Sequence, residues 1–239
     1  MYGTAPHRAP DPAFVRMIEA QGMQPAVTID TSWLLVGHVD ETVHVVRAGN
    51  ERGWTLAVAD PRQAVELLRR AQRAGEGGQR LFAGTTARHK PSVDALLADD
   101  GFLAGNTEAA RRIDDQIAVL LRETGLSRRD LVRVPVLYAM AAVAPGAHEG
   151  AIAYSPSVAN GLSLSARDYA APDPHGPKVD GRDLFRTATE EALAAGGVRV
   201  HWVENFAWSH LAGGEVHCAT NALRDTSGGA PWWRTGRGR

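Results

Sequence analysis

Short apolar runs alternate with amphipathic stretches along nearly the whole of this 239-residue chain, and that alternation predicts an α/β fold. Asp11 and Pro12 supply an N-cap and a first helical residue, Gly22 supplies a stop, and Phe14, Met17 and Ile18 are apolar between them. Residues 25–29 read as a strand and residues 32–36 as a second apolar run. Residues 43–46 and 54–59 read as a strand pair joined by an Asn-Glu-Arg-Gly turn. A helix is expected from about residue 62 to residue 74, where a Gly-Glu-Gly-Gly stretch breaks it. The clearest helix spans 106–124: Ile113, Ile117, Leu120 and Leu121 recur at helical spacing, Asn106 or Thr107 can cap it, and Gly125 stops it. Strands are expected at 132–136 and 161–164, a loop at 172–177, a helix at 183–195 and a strand at 198–203. No internal repeat is visible, and no linker divides the chain.

Composition narrows the function classes. A hydrophobic content of 44% is enough to build a sizeable core. The net charge of -1 lacks the basic footprint of a nucleic-acid binder. The longest apolar run, 134–145, falls short of the roughly 20 residues a membrane-spanning helix needs and is interrupted by Pro135. One cysteine leaves no partner for an intrachain disulfide and no thiolate-rich metal site. The nine histidines show neither HExxH nor CxxC-type spacing, so a zinc module has no motif behind it and no metal ligand is assigned.

Two short segments hold residue types suited to chemistry. Cys218 follows Gly213 and Gly214 and precedes Ala219, Thr220 and Asn221, small and polar neighbours that let the backbone turn tightly. A lone cysteine is also often a small buried hydrophobe, so the residue type alone leaves both roles open. In Gly37-His38-Val39-Asp40-Glu41, an extended backbone would point His38 and Asp40 to one face and Val39 to the other. A hydrogen-bonded surface pair at a strand end fits that spacing equally well. A cysteine, a histidine and an aspartate far apart in sequence can converge into a nucleophilic site. His217, beside the cysteine, is expected to face away from it and is read as structural or as a support to the residues that do the chemistry.

Taken together, Trp33-Leu34-Leu35-Val36-Gly37-His38-Val39-Asp40-Glu41 and Gly214-Glu215-Val216-His217-Cys218-Ala219-Thr220-Asn221 resemble the two catalytic motifs of the protein-arginine deiminases. Weaker matches are the 106–126 helix with Ser127 to Asp130, the Pro172 to Pro177 loop with Asp180 to Arg182, and Pro231-Trp232-Trp233. Ala219 departs from the family, which usually has glycine after the nucleophile.

The resemblance implies a partial pentein α/β propeller, with about three of five ββαβ blades present. Residues 1–239 would be the C-terminal part of a protein-arginine deiminase catalytic domain, with upstream blades and N-terminal domains absent. It implies calcium-dependent hydrolysis of peptidyl-arginine to peptidyl-citrulline and ammonia in a cytoplasmic enzyme acting on protein or peptide substrates, with no nucleic-acid or membrane partner. In that scheme Cys218 is the nucleophile, His38 the general acid and base, and Asp40 the guanidinium ligand. The family's calcium ligands would lie upstream of this chain, so the isolated chain is expected to have little or no activity. The rival readings are a deiminase of agmatine or free arginine, and a catalytically dead fragment.

Overall fold

The computed structural model describes residues 1–5, 9–22, 26–142, 144 and 149–223. Strand β1 (Tyr2–Thr4) leads to helix α1 (Pro12–Ala20), which Asp11 caps by accepting the Ala13 N–H at 2.7 Å. Phe14 and Met17 on α1 are exposed, so its apolar side covers little. Strand β2 (Thr28–Asp30) then pairs parallel with β1.

Strands β3 (Val43–Arg47) and β4 (Trp54–Asp60) form the expected antiparallel pair. Every residue of β4 after Trp54 is buried, the burial of a strand covered on both faces. Helix α2 (Pro61–Ala71) follows without a loop, because Asp60 ends the strand and caps the helix: its Oδ1 accepts the Gln63 N–H at 3.0 Å. Gly75, at φ +86°, ends this helical stretch inside the predicted glycine-rich break.

Helix α3 (Val93–Leu97) precedes α4 (Asp100–Thr124), which starts six residues before the predicted position. Asp99 is the cap, accepting the Phe102 N–H at 2.9 Å. Asn106 lies inside the helix instead, and its buried amide pairs with both the carbonyl and the N–H of Tyr138. Gly125 stops α4 as expected, at φ +67°. Strand β5 (Val132–Pro135) returns parallel to β4.

Strands β6 (Tyr138–Ala142) and β7 (Glu149–Ala153) form an antiparallel pair that the sequence did not signal. The apolar run at 32–36 is no regular strand, although Leu34 bridges to Ala151 on β7. Strands β8 (Leu162–Ser163) and β9 (Asp168–Pro172) are antiparallel. After a small ladder of β10 (Lys178–Val179) and β11 (Arg182–Asp183) come α5 (Leu184–Ala194) and β12 (Arg199–Val203), which pairs parallel with β9.

The sheets β3-β4-β5 and β8-β9-β12 therefore share one plan: an antiparallel pair, a helical crossover, then a third strand parallel to the second. These are two ββαβ units with no visible sequence repeat. No sheet among the described residues closes on itself. One core packs β3, β4 and α4 with Tyr138 and Tyr169, and a second gathers α2, α3, Phe82, Phe185 and Phe206. No helix among the described residues is long and apolar enough to cross a membrane. The Pro231 to Trp233 run and residue 25 lie outside the described residues.

Candidate active site

The segment carrying His38 and Asp40 is not extended. Glu41 folds back, its Oε1 accepting the His38 N–H at 2.6 Å, and Val39–Glu41 closes into a 3-10 turn. The strand-like alternation expected there is therefore corrected, because this local bond replaces a ladder partner. The turn is tied to the core at its far end. The Tyr138 hydroxyl donates to the Glu41 carbonyl at 2.9 Å, and the Thr42 hydroxyl donates to Gln116 Oε1 on α4 at 2.9 Å. His38 is exposed, whereas Asp40 is partly buried.

Cys218 sits on a second tight turn, 216–219, where the Ala219 N–H reaches the Glu215 carbonyl at 3.2 Å. Glu215 is the anchor of this turn. Its buried carboxylate accepts the Ser157 N–H at 3.0 Å, Asn205 Nδ2 at 2.6 Å and His210 Nδ1 at 2.8 Å. Such a set supplies the partners a buried charge requires. The residue Cys218 is solvent-accessible, and its hydrogen bonds run to Asn160.

The two turns meet through His217, whose Nδ1 lies 2.6 Å from Asp40 Oδ2. The backbone at His217 and Cys218 is a turn rather than the extended segment expected, and His217 supports the site through its bond to Asp40. His217 packs edge-on against His44, with ring centroids 5.9 Å apart, and His44 Nε2 lies 3.0 Å from Ser163 Oγ. The second oxygen of Asp40, Oδ1, is buried without a hydrogen-bond partner among the described residues. A pocket of about 820 Å³ is lined by His38, Asp40, His44, Ser163 and His217, among others. Cys218 is not among its lining residues, although its neighbour His217 is.

The electrostatics favour a protonated thiol at rest. Partial burial pushes the Cys218 thiol above its usual range, and the nearby carboxylates of Asp40 and Glu41 push the same way. Burial likewise raises Glu41 to about 7, with the adjacent Asp40 charge adding to the effect and the His38 N–H opposing it.

One further group of potential metal ligands lies elsewhere, at Asp173, His175 and Glu204, with ligand atoms within 4.8 Å of one another. Both Asp173 oxygens are already engaged by Arg186. Calcium takes six to eight oxygens, so two carboxylates and an imidazole do not make a calcium site.

Asn160, His44 and Ser163 were not singled out from the sequence. Asn160-Gly161 reads only as a turn signal, and nothing in its spacing connects it to a cysteine 58 residues away.

The family model for protein-arginine deiminase (PAD) matches residues 2–234. Protein-arginine deiminase type-4 of Mus musculus is 31% identical over 223 residues, covering 93% of this chain and 33% of that protein. Type-1 of Mus musculus is 31% identical over 218 residues, covering 91% of this chain and 32% of the relative. Type-4 of Homo sapiens is 30% identical over 216 residues, with 90% and 32% covered. The chain thus spans about a third of the length of the curated relatives it matches.

Proposed function

The chain belongs to the protein-arginine deiminase family, and from that premise we propose that it is the nucleophile-bearing part of a deiminase catalytic domain. Its reaction converts the guanidinium of a peptidyl-arginine to the urea of citrulline. The two ββαβ units support reading the fold as blades of a partial pentein propeller.

The observation that carries this reading is the bond between Asp40 and His217. It ties together two segments 177 residues apart and thereby holds the turn bearing Cys218 against the turn bearing His38 and Asp40. Asp40 offers Oδ1, a buried carboxylate oxygen with no partner, next to a pocket open to solvent. A guanidinium is a planar cation with paired N–H donors, the complement of such a group.

The chemistry then follows from charge. A docked guanidinium offsets Asp40, one of the groups that keep the thiol protonated, and so favours the thiolate, which is the nucleophilic form. The thiol proton passes to solvent, the sulfur attacks the guanidinium carbon, and a C–S bond forms. His38 donates a proton to the departing nitrogen, and the C–N bond breaks to release ammonia. Water, giving its proton to His38, attacks the same carbon. The C–S bond breaks, leaving citrulline and the free thiolate. The Asp173, His175 and Glu204 group does not fit calcium, and no step here runs through a metal.

The test uses protection as well as turnover. Alkylation of Cys218 is followed in the presence of an N-blocked arginine amide, free arginine or agmatine, with citrulline or the corresponding urea measured in parallel. The blocked arginine is expected to protect at the lowest concentration. Preferential protection by agmatine or free arginine would assign the site to a small-molecule deiminase, and protection by none would remove the guanidino reading.

A further inference from the structure

Asn160 is a fully buried polar side chain that touches the candidate nucleophile. Its backbone carbonyl accepts the His217 N–H at 3.0 Å. Its side-chain Oδ1 faces both the Cys218 N–H, at 3.3 Å, and Cys218 Sγ, at 3.4 Å. One residue therefore grips two successive peptides of the cysteine turn. The other end of the amide, Nδ2, is buried with no hydrogen-bond partner among the described residues.

The segment carrying Asn160 is itself fixed. The Asn160 N–H donates to the Ser157 carbonyl at 2.9 Å. The Tyr169 hydroxyl accepts the Gly161 N–H at 3.1 Å and donates to the Val158 carbonyl at 2.8 Å. Asn160 thus has a rigid base from which to act on the sulfur.

An amide carries an acceptor at one end and two donors at the other. Oδ1 toward sulfur suits a thiol, which has a proton to give. A thiolate has none and calls for a donor. Half a turn about the Cβ–Cγ bond exchanges Oδ1 with Nδ2, giving up the 3.3 Å bond to the Cys218 N–H for a charge-assisted bond to sulfur. The exchange leaves Oδ1 unpartnered in place of Nδ2 and also frees the Cys218 N–H, a cost that the charge-assisted bond to the thiolate offsets.

We propose that Asn160 is a positioning residue for Cys218: its amide holds the protonated sulfur through Oδ1 and turns Nδ2 toward the sulfur when it ionises. The charged and titratable groups on the two turns are His38, Asp40 and Glu41 on the facing turn, and Glu215 and His217 on the cysteine's own turn. The carboxylates oppose the thiolate, which leaves Asn160 as a neutral donor within reach. The importance of this role for turnover rests on reading Cys218 as the nucleophile. The placement of the sulfur stands on geometry alone.

The test is the pH dependence of iodoacetamide alkylation in the full 239-residue chain, where a single cysteine makes the signal unambiguous. Asn160→Leu keeps a similar volume and has no donor. The alkylation midpoint is expected to rise by about one pH unit, which is about tenfold slower reaction below the midpoint. Asn160→Ala makes the same comparison if the larger side chain is not accommodated, with circular dichroism checking the fold of each variant. A midpoint unmoved in the folded variant, with only thermal stability lowered, would reduce Asn160 to a structural role and overturn the proposal. Failure of the deiminase reading has a separate signature, the absence of protection by any guanidino compound in the unmutated chain.

Discussion

Asp40 Oδ2 and His217 Nδ1 lie 2.6 Å apart, although 177 residues separate them in the chain. His217 takes one oxygen of a carboxylate whose other oxygen is buried without a partner. The carboxylate is thus oriented before any ligand arrives. Its charge also acts on the neighbouring sulfur, and that link gives the first prediction a definite sign.

Asp40→Asn keeps the shape of the side chain and removes its charge. Burial is the chief reason the Cys218 thiol stays protonated and the Asp40 charge adds to it, so loss of that charge is expected to lower the alkylation midpoint and speed reaction with neutral iodoacetamide at pH 7. The same variant should lose protection by guanidino compounds. Slower alkylation by the neutral reagent would show that the Asp40 charge does not reach the sulfur.

Glu41 gives the stability a pH dependence. Its carboxyl is raised from an ordinary 4.5 to about 7 in the folded chain, chiefly by burial. A raised acid favours folding most where it is protonated in both states, so its contribution is full below about pH 4.5 and is lost as pH rises through about 7. Glu41→Gln should therefore flatten the fall in thermal midpoint between pH 5 and pH 8. A parallel downward slope in parent and variant would contradict this assignment.

Glu215→Ala removes the carboxylate that joins the cysteine turn to Ser157, Asn205 and His210. Breaking a buried charged network of this kind costs about 3–5 kcal/mol. Urea unfolding measures it, and a loss under about 1 kcal/mol would show that the network is dispensable. Glu215→Gln, which keeps acceptor and donor atoms, should lose less.

Gly161→Ala tests the base under Asn160. A Cβ built there would lie 2.5 Å from the Ala170 carbonyl oxygen and 2.6 Å from the Tyr169 ring, so backbone must move. Overpacking of this kind typically costs about 1–3 kcal/mol, again read by urea unfolding. The alkylation midpoint of Cys218 should move with it, since the grip of Asn160 loosens. An unchanged unfolding curve would mean that the close approach relaxes freely.

Much of this architecture could be read from the sequence, and the misreadings have specific causes. Helix α4 ends where Gly125 predicts but begins at Asp100 under an Asp99 cap, because Asn106 uses its amide on Tyr138 rather than on a helix end. Strands β6 and β7 escaped notice because Ala and Gly make up three of five residues in each, and β9 because it opens on Asp168 and closes on Pro172; their pairing is set by neighbours rather than by propensity. The two ββαβ units share a topology and no residue pattern, so the repeat exists only at the level of strand pairing. The segments bearing His38, Asp40 and Cys218 stood out as motifs. Their backbone did not, since the bond from Glu41 to the His38 N–H converts a predicted extended stretch into a turn. Asn160 was invisible for a different reason: a buried amide 58 residues from the cysteine leaves no local signature.

The most direct test of the account compares two alkylating reagents of matched halogen, a cationic haloacetamidine and a neutral haloacetamide, each rate normalised to a small-molecule thiol. If Asp40 and Cys218 form one guanidinium-reading site, the cationic reagent should modify Cys218 at least about tenfold faster, one unit of differential charge interaction. That preference should vanish in Asp40→Asn. A normalised ratio near one in the unmutated chain would contradict the claim that the two turns form a single site.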